Sequence, residues 1–517
     1  MARYPAPKQG RARKANIHSV PAPTGGWNTL DSIALMDSKY AVVLQNFIPT
    51  PSSVSLRSGS VAHSTGLTGR IDTLASYNSA SASKLFAAVG GSIYDVTATG
   101  AVGAAVVTGK TNARWQHVNF ATTGGSYMVM VNGADAPMLY DGTTWTAITG
   151  VSSPAITGVD ATKFINVSVF QNKLWFVEKN SMRVWYLSSA SIGGLANQLD
   201  LSSLFPRGGY LMAMGDWTMD SGSGVDDYAV FISSEGEVAV YRGTDPASAS
   251  TWALVGVYQV GSPVGRRCMM KFASDLAIIN QDGLQLISQA LTSSRVTLTS
   301  SVTDKIQPTI TGSITTYGTN YGWETVLFSS QNVIILNVPV SYGSQQYVMN
   351  TITKGWCNFT GWDASCFEVM NDRLFFGTTN GVMEAFVGTD DAGTAINGQA
   401  LQAFSYMGNQ NLKNFTMARP ILATNANNIG VLLSINTDFN VLEPIGTPTY
   451  TSGTAATWGT SLWGTGLWGG SMSIKKDWQT VGATGLSGAL YMKTLSGNSR
   501  VEWASTDYTY ESGSAYF

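Results

Sequence analysis

"LWFVEKNSMRVWYL", residues 174–187, reads as a strand, a tight turn and a second strand. Leu174–Val177 and Val184–Leu187 are aliphatic and aromatic, the residue types that suit a pleated, packed surface, and Asn180-Ser181 between them is turn chemistry. The pattern recurs along the chain: "LFAAVGGSIYDV" (85–96), "YMVMVNGADAPMLYDG" (127–142), "AVFISSEGEVAVYRG" (229–243), "LAIINQDGLQLIS" (276–288), "TVLFSSQNVIILNV" (325–338) and "LFFGTTNGVMEAFVG" (374–388). Most of the connecting pairs, among them Gly-Gly, Asn-Gly and Asp-Gly, favour hairpins. Successive hairpins begin roughly 40–55 residues apart, the period of a four-stranded propeller blade. Alternation within each strand is weak, as expected when both faces are covered by neighbouring sheets. A β-sandwich would show evenly spaced single strands with cleaner alternation. The expected fold is therefore all-β, a β-propeller of six or seven blades over residues 66–390. Residues 191–227 read as an elaborated connection. Past 391, "QALQAFSYMG", "IGVLLSINTDF" and "LYMKTLSGNSRVEWASTDYTYESG" read as separate β-structure. "SKYAVVLQNF" (38–47), opened by Asp37 or Ser38 as a cap, is the best short helix candidate.

Composition agrees. Hydrophobic residues make up 44% of the 517, enough for a sizeable core, while charged residues are only 12%, about half the usual share. A net charge of −2 gives no global nucleic-acid footprint. The basic residues Arg3, Lys8, Arg11, Arg13 and Lys14 gather at the N-terminus without an acid, so residues 1–22 are expected to be a flexible basic arm, with Pro5 and Pro7 opposing regular structure. No apolar run reaches membrane-spanning length and the start lacks a signal-peptide core, so no membrane insertion and a cytoplasmic site of synthesis are expected. Cys268, Cys357 and Cys366 suit reduced core thiols, and none of His18, His63 and His117 stands at metal spacing from a cysteine.

Motifs of chemistry are weak. Gly464, Gly466 and Gly469 spell GxGxxG without the flanking strand and helix that dinucleotide binding needs. "GAAVVTGKT" (103–111) has one spacer too many for a phosphate loop and is followed by a strand pattern. "LYDGTTW" (139–145) is read as a tight turn with Trp145 packed between blades. Asp220, Asp226, Asp227, Asp390 and Asp391 are read as turn acids rather than a Ca²⁺ loop. Glu178, Glu235, Glu237 and Asp363 lie on different hairpins, and only convergence in a funnel would make a glycosidase pair of any two. No catalytic residue, metal or cofactor is expected.

"TWGTSLWGTGLWGG" (457–470) repeats Trp458, Trp463 and Trp468 at a spacing that suits neither helix nor strand. Three such rings call for a covering surface. Packing within the domain, against a neighbouring subunit or tail protein, or on a host ligand are the alternatives; protein–protein packing is preferred because no polar cluster flanks the rings.

"PTGGWNTLDSIALMDSKYAVVLQNFIPTPSSVSLRSGS" (23–60) resembles the opening of phage virion proteins of the tail-nozzle, packaged-DNA-stabilisation type. The matching elements are Gly25-Gly26-Trp27-Asn28, Met36-Asp37, Gln45-Asn46-Phe47 and Leu56-Arg57-Ser58-Gly59. "WFVEKNSMRVWYLSSASIGG", "RGGYLMAMGDWTMD", "GVYQVGSPVGRRC", "LSINTDF" and "YTYESG" resemble the same group. The resemblance implies a propeller joined to a β-rich platform, here built from residues 23–65 and 391–517. It also implies a ring of copies, usually six, below the portal and adaptor of a short-tailed phage, whose lumen carries DNA during ejection. The implied partners are further copies of the chain, the head-to-tail adaptor, fibre, spike or needle proteins and, transiently, double-stranded DNA; the basic arm would dock on a neighbouring subunit or the adaptor. The implied location is the virion tail, assembled in host cytoplasm. A glycan-binding or glycan-cleaving propeller at the host surface is the alternative, and a cellular scaffold propeller a third.

Overall fold

Lys173–Glu178 and Arg183–Tyr186 form the hairpin of the opening stretch, with Trp175 opposite Tyr186 and Val177 opposite Val184. Asn180 supplies a left-handed residue, φ 53°, in the turn, a conformation that asparagine tolerates better than most residues. The computed structural model describes residues 15–220, 225–292, 301–341, 343–425, 429–449, 472–497 and 499–513. Among these, strands dominate, and α-helix is confined to Ile287–Thr292 and Gln307–Tyr317.

The chain divides into two compact units. The larger, Ser58–Thr351 with Asn358–Thr394, is a β-propeller arrangement. Five antiparallel sheets in it are self-contained. Sheet I is Ile71–Asn78, Ser83–Val89 and Ser92–Asp95. Sheet II runs Gln116–Thr122, Gly125–Val131, Met138–Tyr140, Trp145–Ala147. Sheet III runs Phe164–Phe170, Lys173–Glu178, Arg183–Tyr186, Asn197–Asp200, and sheet IV runs Leu211–Asp220, Val225–Ser233, Glu237–Gly243, Trp252–Gln259. Sheet V is Met269–Phe272, Asp275–Asn280 and Gly283–Leu286. Two further meanders follow: Glu324–Phe328, Val333–Val340, Gly343–Asn350 (VI), and Cys366–Met370, Arg373–Gly377, Gly381–Ala385, completed by Ser60–Thr65 (VII). Apolar clusters fill the space between consecutive sheets. Ile165, Trp175 and Val184 of sheet III meet Met214, Phe231 and Trp252 of sheet IV in one of them.

The other unit comprises Met1–Arg57, Ile352–Cys357 and Ala395–Phe517. In one of its sheets Val501–Ser512 pairs with Lys413–Thr424, Ala15–Pro21 and Val54–Leu56. In the other, Asn397–Gln402 lies between Tyr40–Gln45 and Gly488–Leu495, which also pairs with Val431–Thr437. Tyr508 ties the two together: its hydroxyl accepts from the Leu490 N–H at 3.1 Å and donates to Gln402 Oε1 at 2.5 Å.

Four local expectations change. Residues 191–227 are not only a connection: they hold Asn197–Asp200, Leu211–Asp220 and the start of Val225–Ser233, so Asp220, Asp226 and Asp227 lie in strands rather than turns. Residues 38–47 are not helical: Tyr40–Gln45 is a strand, where Val42 and Val43 fit better, and Asp37 Oδ1 instead accepts from the Lys39 N–H in a turn. The basic arm ends earlier than residue 22, because "ANIHSVP" pairs along its whole length with Val501–Ser512 and buries Val20. Among the seven expected hairpins, 325–338 joins the first two strands of its sheet; the other six join the second and third.

The turn in "LYDGTTW" shows how such corners are held. Asp141 accepts from the N–H and hydroxyl of both Thr143 and Thr144 at 2.7–2.8 Å. Trp145 lies edge-on to Phe86 of sheet I, 4.9 Å between ring centres. Partial burial pushes the Asp141 carboxyl up, but these four hydrogen bonds outweigh it and hold the group well below the usual carboxylate range. A carboxylate depressed by folding stabilises above its unfolded pKa and loses that contribution as pH falls through the folded value. Asp141→Ala is expected to cost about 0.5 kcal/mol at pH 7, small because the group faces solvent. In paired thermal melts the gap between wild type and variant closes progressively below about pH 4; a gap that persists unchanged to pH 2 refutes this account.

Candidate functional site on the propeller axis

Two cavities follow the axis of the larger unit. One, of about 330 Å³, is framed by Asn112, Arg114, Gly133, Lys179, Arg266 and Tyr321 among others. These residues lie just before the first strands of sheets II, V and VI, or in the turns after the second strands of sheets II and III. In an up-and-down meander those positions share one end of the sheet, so the cavity opens at one face. The other cavity, of about 240 Å³, is lined by the first strands themselves, through Leu74, His117, Asn166, Met214, Met269, Glu324 and Glu368.

Arg267 borders both cavities. Its guanidinium bonds Glu324 Oε2 at 2.8 Å, Thr73 Oγ1 at 2.7 Å, the Trp115 carbonyl at 3.0 Å and the Asp72 carbonyl at 3.2 Å. The side chain of sheet V's entry thus grips sheets I, II and VI. Glu324 Oε1 accepts the Phe367 N–H of sheet VII. The Tyr321 ring stacks under this network, with the Arg267 guanidinium 5.4 Å and that of Arg114 4.7 Å from its centre. Burial works against the charge on Arg267, but Tyr321 and Glu324 more than compensate and hold it more firmly protonated than usual.

Around this plug the first cavity is basic. Asp72 lies 3.6 Å from Arg70 and 3.7 Å from Arg114. Lys179 Nζ reaches the Gly133 carbonyl at 3.3 Å, and a Cβ on Gly133 would sit 3.4 Å from Arg266 Nη1. Among the described residues neither Lys179 nor Arg266 has an acidic partner, and burial lowers the Arg266 pKa, reinforced by Arg114.

The acids singled out in the sequence do not converge here. Glu178 accepts from Arg183 at 3.1 Å and from the Trp185 indole at 2.8 Å, both on its own sheet. Glu237 accepts the Arg207 N–H, Glu235 and Asp363 are exposed, and none of the four lines either axial cavity. Asp391 accepts from Trp362 Nε1 at 2.9 Å and Ser60 Oγ at 3.0 Å, and Asp390 from the Gly393 N–H. Among the described residues no group of three or more His, Cys, Asp and Glu is placed to hold a metal, and no helix is long and apolar enough to cross a membrane. Cys268, Cys357 and Cys366 are buried and unbridged; burial pushes the thiols of Cys268 and Cys366 up to about 12. Arg3, Lys8, Arg11, Arg13, Lys14, Trp458, Trp463 and Trp468 lie outside the described residues.

No protein-family profile matches the chain, and no curated protein matches it. Solved structures similar to it include BBS1N in complex with ARL6DN, with 10% identity over 63% of this chain and 96% of that one and a TM-score of 0.39. The extracellular domain assigned to the one-component system BT4673 of B. thetaiotaomicron is also similar, with 10% identity and a TM-score of 0.39. That match covers 74% of this chain and 44% of the other. Such scores assign neither ligand nor partner.

Proposed function

We propose that this chain is a structural virion protein of a short-tailed phage, whose copies form a ring-shaped tail nozzle below the portal and adaptor, retain the packaged genome and conduct DNA during ejection. The observation that carries the reading is where its family-like motifs fall. Asn46 of the Gln45-Asn46-Phe47 element takes a left-handed φ of 58° and receives Arg57 Nε at 3.0 Å, from the Leu56-Arg57 element. Its amide donates to the Asn397 carbonyl at 2.8 Å, and Arg57 is buried. Gly26, at φ +88°, sits where any Cβ would strike the Trp356 backbone. The motifs are therefore framework, holding the two chain ends in one unit, as suits kinship in a scaffold rather than in a reactive site.

The proposal includes seven blades. First strands of successive sheets pack side by side, Cys366–Met370 packs beside Ile71–Asn78, and Ser60–Thr65 completes sheet VII along Gly381–Ala385. Because Arg267 and its partners fill the axis, the DNA path proposed here runs through the lumen of the ring and not through a propeller. The near-neutral charge suits a conduit, since a strongly basic wall would hold phosphates through counterion release. The second, β-rich unit serves as the platform, and the basic arm and the tryptophan segment are assigned to contacts between proteins.

The test is native mass spectrometry of the purified chain with and without the adaptor of the same phage. A closed ring, six copies being the expected number, that binds the adaptor supports the nozzle. A chain that stays monomeric with adaptor present, and instead binds or cleaves host surface polysaccharide, overturns it.

A further inference from the structure

We propose that the basic cavity at the mouth of the propeller axis binds a small multivalent phosphate compound of the pyrophosphate or nucleoside di- and triphosphate class. This proposal does not depend on the nozzle reading. Arg266 and Lys179 point to it most directly: both border the cavity, neither has an acidic partner among the described residues, and each lies against Gly133. Arg114 supplies a third cation to the same cavity, only partly answered by Asp72, which it shares with Arg70. Arg267 beneath is committed to Glu324 and to three oxygens of sheets I and II, so it forms the floor rather than a free ligand.

Like charges gathered around one cavity repel one another, and a multivalent anion relieves that cost. Guanidinium forks match phosphate oxygens in pairs while lysine acts as a point charge. A monovalent carboxylate would leave most of this charge unanswered. Gly133, Gly265, Gly318 and Gly322 complete the cavity wall. A volume of about 330 Å³ is at the small end of ligand pockets and admits a compact phosphate compound, not a duplex.

Isothermal titration of the intact chain with pyrophosphate at low salt tests this. One saturable site is expected, with affinity falling about tenfold or more in Arg266→Gln and in Lys179→Gln, as loss of a charge-assisted hydrogen bond implies. Both residues are at least partly exposed, so both variants should fold, and an unchanged melting temperature confirms it. Acetate should fail to compete. The proposal is overturned by absence of saturable pyrophosphate binding, by binding that both variants retain, by equal competition from acetate, or by binding of a duplex oligonucleotide at this face without pyrophosphate binding.

Discussion

Arg267→Ala destabilises the propeller by about 3–5 kcal/mol, the range for removing one partner of a buried ion pair. The loss has several sources. Glu324, 5% exposed, loses its counterion and must either stay charged and unpaired or take up a proton, and burial already pushes its carboxyl up against the pull of Arg267. The carbonyls of Asp72 and Trp115 and the hydroxyl of Thr73 lose a donor. Since those groups belong to sheets I, II and VI, the variant weakens several seams at once. Arg267→Lys keeps the charge but not the fork, and is expected to cost about 1–3 kcal/mol, because one ammonium cannot span the acceptors that five guanidinium N–H groups reach.

The paired variant separates these sources. Arg267→Met with Glu324→Leu removes both charges and restores apolar packing, and stability should recover to within about 1–2 kcal/mol of wild type, as other buried pairs have done when replaced by hydrophobic residues. Native-state hydrogen exchange of the amides in Ile71–Asn78 and Glu324–Phe328 reads the effect in the strands concerned. Protection unchanged in Arg267→Ala would mean that the axis is held by packing alone.

That network illustrates what the sequence could not disclose. Arg267 lies 57 positions from Glu324 and 194 from Thr73, and no local pattern links residues that meet only because sheets are arranged around an axis. A hint was present: "VGRRCMMKF" puts two arginines beside apolar residues in a chain with few charges. The hairpins were legible because turn chemistry and apolar strands are adjacent in sequence. In sheet VI the third strand, Gly343–Asn350, contains "SQQY", whose Gln346 is buried and donates from Nε2 to Asn337 Oδ1 and to the Trp362 carbonyl. Polar residues whose partners are distant in the chain mask a strand. The helix Gln307–Tyr317, "QPTITGSITTY", is hidden in the sequence for a related reason: threonine and glycine are poor helix formers, and the helix is held by tertiary packing of Ile310 and Ile314 and by the Ser313–Tyr347 hydrogen bond.

Trp175→Ala is expected to cost about 3–5 kcal/mol, the upper range for a core aromatic. Trp175 is 1% exposed, and its indole N–H donates to the Phe170 carbonyl at 3.2 Å. Its ring stacks on Trp252 of sheet IV at 5.6 Å and 19°, and Trp252 stacks in turn on Tyr241 at 5.1 Å and 15°. Phe231 and Tyr186 close the sides at 6.0 and 4.9 Å. Truncation uncovers roughly 200 Å² of ring contact and leaves a void between two sheets whose strands, fixed by their own ladders, cannot close over it. Trp175→Phe keeps an aromatic face, loses the hydrogen bond and part of the volume, and should cost about 1–2 kcal/mol. Trp145, equally aromatic but only half-buried at the edge of sheet II, should tolerate alanine at about the same 1–2 kcal/mol. Chemical denaturation of the three variants gives the ranking. If Trp175→Ala costs no more than Trp145→Ala, the seam between sheets III and IV is held by strand contacts elsewhere, and the aromatic column is not what joins them.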